Sequence, residues 1–374
     1  MAGNVLSRRP VLRLQGYLSM EKPLQIRVAV VTLAALTLIA VILAALNLSK
    51  EGSYQIPTDS VSWVEAPGGL IAQRVLKNGP GERAGIKAGD LLVSANGAPV
   101  PRVASLIRQL FSVGIYRRMT YNLVRSGVPI DATVILEPTD RSVNQGMRLI
   151  GLIYLAIGLY ILFRRWTAWH SMHFYVFCLT SFVLYSFNYT GQLNTLDWII
   201  YWGKITAEAL QPALFLHLAL AFTDESPRRR KWTYSPIYLP AVVVVVLQVV
   251  AQSHWSATEL LETSLNRIAM GYLGAYYLLA AALFFLCYRR QENPLRRQQL
   301  KWLTRGTLLT VIPLTALNII PYLAGIPVPG ILLKIIGVFL IFLPLTFSWA
   351  IIRYRLMDVD LIFKRGVKIG RAHV

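Results

Sequence analysis

Long apolar runs separated by short charged loops dominate the chain. One run, residues 28–46 (VAVVTLAALTLIAVILAAL), is uninterrupted. Seven more follow at 147–163, 172–189, 205–222, 237–251, 268–287, 306–323 and 331–352. A helix that crosses lipid needs about 20 mostly apolar residues, because the hydrocarbon core is about 30 Å thick and each residue rises about 1.5 Å. Within lipid every backbone N–H and C=O must pair inside the segment or in a closed barrel, so these runs read as helices. The pattern predicts a multi-pass α-helical membrane protein of about eight transmembrane helices: one at 28–46 after a basic tail (1–27), then a seven-helix bundle over 147–352. A signal peptide is the rival for 28–46. The run exceeds the apolar region of about 7–15 residues usual there, and no small-x-small cleavage site follows, so a retained anchor is expected.

Between residues 53 and 138 the pattern changes to short alternating strands, clustered glycines and returning charge. Strands are expected at 69–76, 91–95, 120–125 and 132–136, with tight turns at Asn78-Gly79-Pro80-Gly81, Lys87-Ala88-Gly89-Asp90, Asn96-Gly97 and Ser126-Gly127. Apolar residues at Val103, Leu106, Ile107, Leu110 and Phe111 have helical spacing. The expectation is a small α+β domain inserted between the first membrane helix and the bundle. Residues 139–145 read as a polar linker.

Composition agrees: 55% of residues are hydrophobic, 15% are charged, and mean hydropathy is +0.49. This excludes an ordinary soluble globule. The net charge of +20 invites a nucleic-acid reading, so the placement of the charge decides. Most of the 38 Lys and Arg fall in five alternate segments: the N-terminal tail, Arg164-Arg165, Arg228 to Lys231, Arg289 to Arg305, and the end of the chain after Arg353. The loops near 188–197 and 321–330 carry none, and that at 252–267 carries one. That alternation is the positive-inside pattern, not a basic surface for nucleic acid. It leads us to expect both chain ends in the cytoplasm and residues 53–138 outside it. Tryptophans and tyrosines at the span ends (Trp166, Trp198, Trp202, Trp232, Trp302, Tyr354) fit interfacial positions.

The run from Val75 to Gly97 (VLKNGPGERAGIKAGDLLVSANG) resembles the bacterial PDZ domain, with Gly81 where that family usually has alanine. The resemblance covers 53–138 and implies capture of an extended peptide, or a protein C-terminus, as an added strand beside helix 103–113. The carboxylate loop would come from residues 60–64 or 68–71. Leu70, Ile71, Val103, Ile107 and Leu110 are the candidate peptide contacts. For Val103, Ile107 and Leu110 a pure core role stands equally open. Gly85, Gly89 and Asp90 read as structural turn residues.

A second resemblance lies in the bundle. Residues 213–230 (ALFLHLALAFTDESPRRR), with Tyr238-Leu239-Pro240-Ala241 and the exit run 353–366 (RYRLMDVDLIFKRG), resemble the multi-span sensory modules of bacterial sensor histidine kinases and metal-dependent serine/threonine phosphatases. Thr223 stands where that family commonly has proline. The resemblance implies a cytoplasmic output domain beyond the exit helix. The tail 368–374 (KIGRAHV) back-translates into a run resembling a sequencing adapter, so the expectation is a chain truncated before that domain.

Catalytic motifs are missing from the sequence. There is no H-E-x-x-H, G-x-S-x-G or Walker-type phosphate loop, so no enzymatic activity, cofactor or metal is assigned. His170 and His173 read as interfacial residues. Cys178 and Cys287 lie in separate spans and form no disulfide framework. The third span of the bundle carries an unusual polar load: Lys204, Glu208 and Gln211 at i, i+4, i+7, then His217. Ionisable groups at membrane depth cost about 2.5–3.5 kcal/mol on insertion scales and usually face the interior. One reading is a ligand-binding or proton-responsive pocket using Glu208 and His217; the other is a Lys204–Glu208 pair near the interface. The expected function is a membrane sensor, with lipid, a peptide and a second copy of the chain as partners. A PDZ scaffold or protease adaptor is the alternative, and a transporter is less favoured because no internal repeat is visible.

Overall fold

The computed structural model describes residues 9–165, 169–192, 194–223, 231–253, 259–326 and 328–354. Most of the expected basic loop at 228–231 and the exit run after Tyr354, with the tail 368–374, lie outside the described residues, as does Arg8. The chain divides into two compact units. One comprises Met1–Ala45, Val143–Asn188 and Ile199–Val374; the other comprises Leu46–Ser142 and Tyr189–Trp198.

The first unit is helical. After α1 (Arg9–Ser53), whose first part belongs here, come α4 (Ser142–Arg165), α5 (Trp169–Ser186) and α6 (Thr195–Thr223). A 3₁₀ segment (Lys231–Tyr238) leads into α7 (Leu239–Ser253) and α8 (Glu259–Arg290). The chain continues through α9 (Pro294–Leu314), a π turn (Thr315–Ile319), α10 (Ile320–Leu323), α11 (Gly330–Leu340) and α12 (Phe342–Tyr354). All eight expected apolar runs lie in helices, except that the second run of the bundle, expected to 189, leaves its helix at Ser186. Six described helices are long and apolar enough to cross a membrane, and Ser171–Ser186 and Ser235–Ala251 are apolar but shorter. Pro236 and Pro240 hold the second of these in 3₁₀ geometry up to Tyr238, since proline lacks the N–H an α-turn needs. The π turn sits just before Pro321, which likewise cannot donate back along the helix.

The bundle core is aromatic. Phe347 of α12 stacks parallel on Phe174 of α5 at 6.1 Å and meets Phe215 and Phe222 of α6 and Phe284 of α8. Small residues let the helices approach, as is usual where lipid supplies no hydrophobic drive between them. A β-carbon on Gly306 would strike Thr346, joining α9 to α12, and one on Gly158 would strike Cys178, joining α4 to α5. Thr37 of α1 hydrogen-bonds Tyr175 of α5, so α1 is part of this unit and not a loose tether.

The second unit is the inserted α+β domain. Its elements are β1 (Pro57–Thr58), β2 (Val61–Ala66), β3 (Gly69–Val75), α2 (Pro80–Arg83), β4 (Leu91–Ala95), β5 (Ala98–Pro99), α3 (Val103–Val113), β6 (Arg118–Arg125), β7 (Val128–Ile135) and β8 (Glu137–Pro138). The main sheet runs β2-β3-β4-β6-β7, all antiparallel, with β5 paired to β4. Asn96 and Gly97, and Ser126 and Gly127, take positive φ in pairs (49° and 76°, 50° and 84°), as two-residue hairpins demand. Alternation sends Leu70, Ala72, Leu92, Tyr121 and Leu123 into a core closed by Leu106 and Leu110 of α3. β1 and β8 pair separately, and the Thr139 N–H donates to the Ile56 carbonyl at 2.9 Å, tying the entry of the domain to its exit.

Candidate functional site

The domain presents an edge strand beside a helix. Among the described residues β2 pairs only with β3, leaving its other edge without a strand partner, and α3 contacts β2. The Val103 N–H at the start of α3 donates to the Glu65 carboxylate of β2 at 3.2 Å, which fixes the helix against the strand. An unpaired edge can accept an added strand, because its N–H and C=O groups lack strand partners.

The expected contacts divide by strand and helix periodicity. Ile71, 39% exposed, stands opposite Val64 on the outer sheet face, and Ile107, 45% exposed, lies on the open side of α3. Val103 is half-buried. Leu70, whose neighbour Ile71 points out, points in and is fully buried in the core. Leu110 is also buried there and serves the core.

At the start of β2 the turn is organised by Asp59. Its carboxylate, 2% exposed, accepts the indole N–H of Trp63 at 2.8 Å, the Tyr121 hydroxyl at 2.7 Å and the Val61 N–H at 3.1 Å. Burial, reinforced by Asp59, pushes the Tyr121 phenol well above its ordinary range. Gly81 explains the departure from alanine: a β-carbon there would collide with Val61 and lie 2.9 Å from the Asp59 carbonyl, to which the Gly81 N–H donates. Elsewhere Asp90 accepts two bonds from Arg125 at 2.7 Å and the Lys87 N–H at 2.8 Å. Arg125 holds the Asp90 carboxyl below its ordinary value, and these bonds tie the Lys87–Asp90 turn to β6.

A second junction sits in the linker. Arg141 donates to the carbonyls of Glu51 at 2.8 Å, Tyr54 at 3.1 Å and Thr190 at 3.4 Å, and lies 3.8 Å from the Glu51 carboxylate. It thereby joins the end of α1, the approach to α4 and the loop Tyr189–Trp198 between α5 and α6. Asp197 closes that loop by accepting the Thr190 hydroxyl at 2.7 Å. The loop and the α1 exit both reach α3: Tyr54 stacks on Phe111 at 6.3 Å, and Gly191 packs against Ile56 and Phe111.

The polar residues of α6 reach several neighbouring elements, and Lys204 also acts electrostatically on Glu208. Lys204 donates to Asn188 at 3.5 Å, and Gln211 donates to Ser181 of α5 at 3.3 Å. Glu208 lines a small cavity with Val244 and Gln248 of α7 and Ala269 and Tyr272 of α8. His217 contacts Tyr238 at 2.8 Å and lies ring to ring with His173, 4.2 Å between centroids. An α-helix turns these positions toward different neighbours: α5 for Gln211 and His217, α7 and α8 for Glu208. No group of three or more His, Cys, Asp or Glu able to hold a metal occurs among the described residues.

Comparison with known proteins decides the bundle's family. The family described as the N-terminal 7TM region of histidine kinase matches residues 147–360, more than half of the chain. The chain belongs to this family. A PDZ domain matches residues 71–111, inside the inserted unit. The periplasmic serine endoprotease DegP of Escherichia coli K12, and that of Salmonella typhimurium LT2, are 32% identical over 79 residues, which is 21% of this chain. The chain spans about 17% of the E. coli relative's length, so the likeness concerns the PDZ stretch alone. Among solved structures, the HtrA-type protease AlgW with decapeptide aligns at 14% identity over 23% of this chain and 30% of its own, with TM-score 0.22. The serine endoprotease from Yersinia pestis aligns at 22% identity over 27% and 36%, also with TM-score 0.22.

In this 7TM histidine-kinase family member, Arg141 sits in the polar linker 139–145 and Asp59 just before residues 60–64, a stretch in which the sequence predicts no element. The Thr58-Asp59-Ser60 composition signals a turn; nothing local signals that its carboxylate collects donors from Trp63 and from Tyr121, far along the chain.

Proposed function

We propose that the chain is the sensory part of a bacterial inner-membrane signalling protein of the two-component type. Its PDZ unit lies outside the cytoplasm and takes a peptide segment as a strand added to β2, beside α3. The bundle passes that occupancy to an output domain that follows it, and both ends of the described chain face the cytoplasm. The carrying observation is the pairing, in one chain, of a 7TM histidine-kinase region over 147–360 with a PDZ unit whose edge strand faces α3. The alternation of basic loops supports the orientation. Transmission requires that a bound peptide favour one of two arrangements of the helices. The Arg141 junction supports such a route, because it binds the α1 exit, the α4 approach and the α5–α6 loop at one point.

The test is binding of an array of apolar decapeptides to the full chain in lipid nanodiscs. Wild-type protein is expected to retain a subset, and Ile107→Glu, on the open side of α3, to weaken each by about tenfold or more. Absence of any retained peptide, or unchanged binding by Ile107→Glu, overturns the reading.

A further inference from the structure

The edge of β2 begins at a turn whose chemistry restricts what the groove accepts. A chain adding antiparallel to β2 brings its C-terminal end to residues 57–61. Capture of a terminal carboxylate needs backbone N–H groups that are free to point at it. In this turn Pro57 has no N–H, the Ser60 N–H donates to Thr58 Oγ1 at 3.0 Å, and the Val61 N–H donates to Asp59 Oδ1 at 3.1 Å. The turn therefore already holds a carboxylate of its own. Asp59 is buried and anchored by the Trp63 indole and the Tyr121 hydroxyl, so it is not a mobile side chain that a ligand displaces. Gly81 packs against the same turn with no room for a β-carbon, which keeps the turn from reopening.

A second carboxylate arriving here meets like charge at close range and finds the Ser60 and Val61 donors taken. A peptide that continues past the turn presents a neutral peptide group and escapes that cost. Resting on the reading of β2 and α3 as a peptide groove, we infer that the groove takes an internal extended segment of a protein chain and rejects a free C-terminus.

The experiment compares one set of apolar decapeptides made in two forms, with a free C-terminal carboxylate and with a C-terminal amide, on the full chain in nanodiscs by fluorescence anisotropy. The amidated form is expected to bind about tenfold more tightly or better. Asp59→Asn removes the charge while keeping an acceptor for the Val61 N–H, and is expected to bring the ratio close to one. If that variant does not fold, the wild-type ratio decides alone. Free acids binding as tightly as amides, or more tightly, overturn the inference and leave the groove reading standing. Binding by neither form overturns both.

Discussion

At the scale of single residues, the domain's stability rests on buried carboxylates that collect donors. Arg125→Ala strips Asp90 of its guanidinium partner and is expected to lower the urea denaturation midpoint at pH 7. The pH dependence has a definite sign. Because the folded state holds the Asp90 carboxyl below its ordinary 3.8, the ionised pair stabilises the fold at neutral pH, and this contribution is lost as the pH falls below about 4. Arg125→Ala is therefore expected to show a smaller loss between pH 5 and pH 3 than wild type. A steeper loss in the variant contradicts the assignment. Asp90 was legible as a turn residue from the Gly89-Asp90 step, whereas its partner was not. Arg125 lies at the end of β6, and only the β4–β6 register brings it alongside. Asp59 was hidden for the same reason, since Tyr121 reaches it from β6.

At the scale of elements, the local signals were strong where periodicity and turn chemistry agreed. The helix expected at Val103–Val113 is α3 with those bounds, and the Asn96-Gly97 and Ser126-Gly127 hairpins fall where the residue types demanded them. The edge strand β2 was not read as a strand at all. Residues 61–66 contain one buried position, Trp63, and too little alternation to announce themselves. On α6, helical spacing aligns Lys204, Glu208 and Gln211, while packing between helices sets the neighbours that receive them. Two predictions belong to this scale. Gly306→Leu places a side chain where α9 meets α12 at Thr346 and is expected to lower the thermal midpoint of the detergent-solubilised protein by several degrees, while Gly271→Leu, which faces open space, is not. Arg141→Ala removes three carbonyl contacts at once. Hydrogen exchange of residues 51–58 and 189–192 is expected to rise by about tenfold, corresponding to about 1.4 kcal/mol, with β4 and β6 unchanged. Uniform exchange across the domain contradicts a local junction.

At the scale of the whole molecule, two units with different solvents share one chain: an aromatic helical bundle fitted to lipid, and a small sheet domain fitted to water. This division was legible because the apolar runs and the alternating segment differ so sharply in composition. The membership of Tyr189–Trp198 in the second unit was not legible, since a short polar loop between spans carries no mark of the partner it packs against. Orientation across the membrane is written in the sequence only as charge. The most direct measurement is therefore cysteine accessibility in intact cells. With Cys178 and Cys287 replaced, single cysteines are placed at Gln73→Cys, exposed on β3, and Glu292→Cys, exposed in the basic loop before α9. The account predicts that a membrane-impermeant maleimide labels the Gln73→Cys protein in spheroplasts and labels the Glu292→Cys protein only after lysis; labelling of Glu292→Cys with Gln73→Cys protected contradicts it.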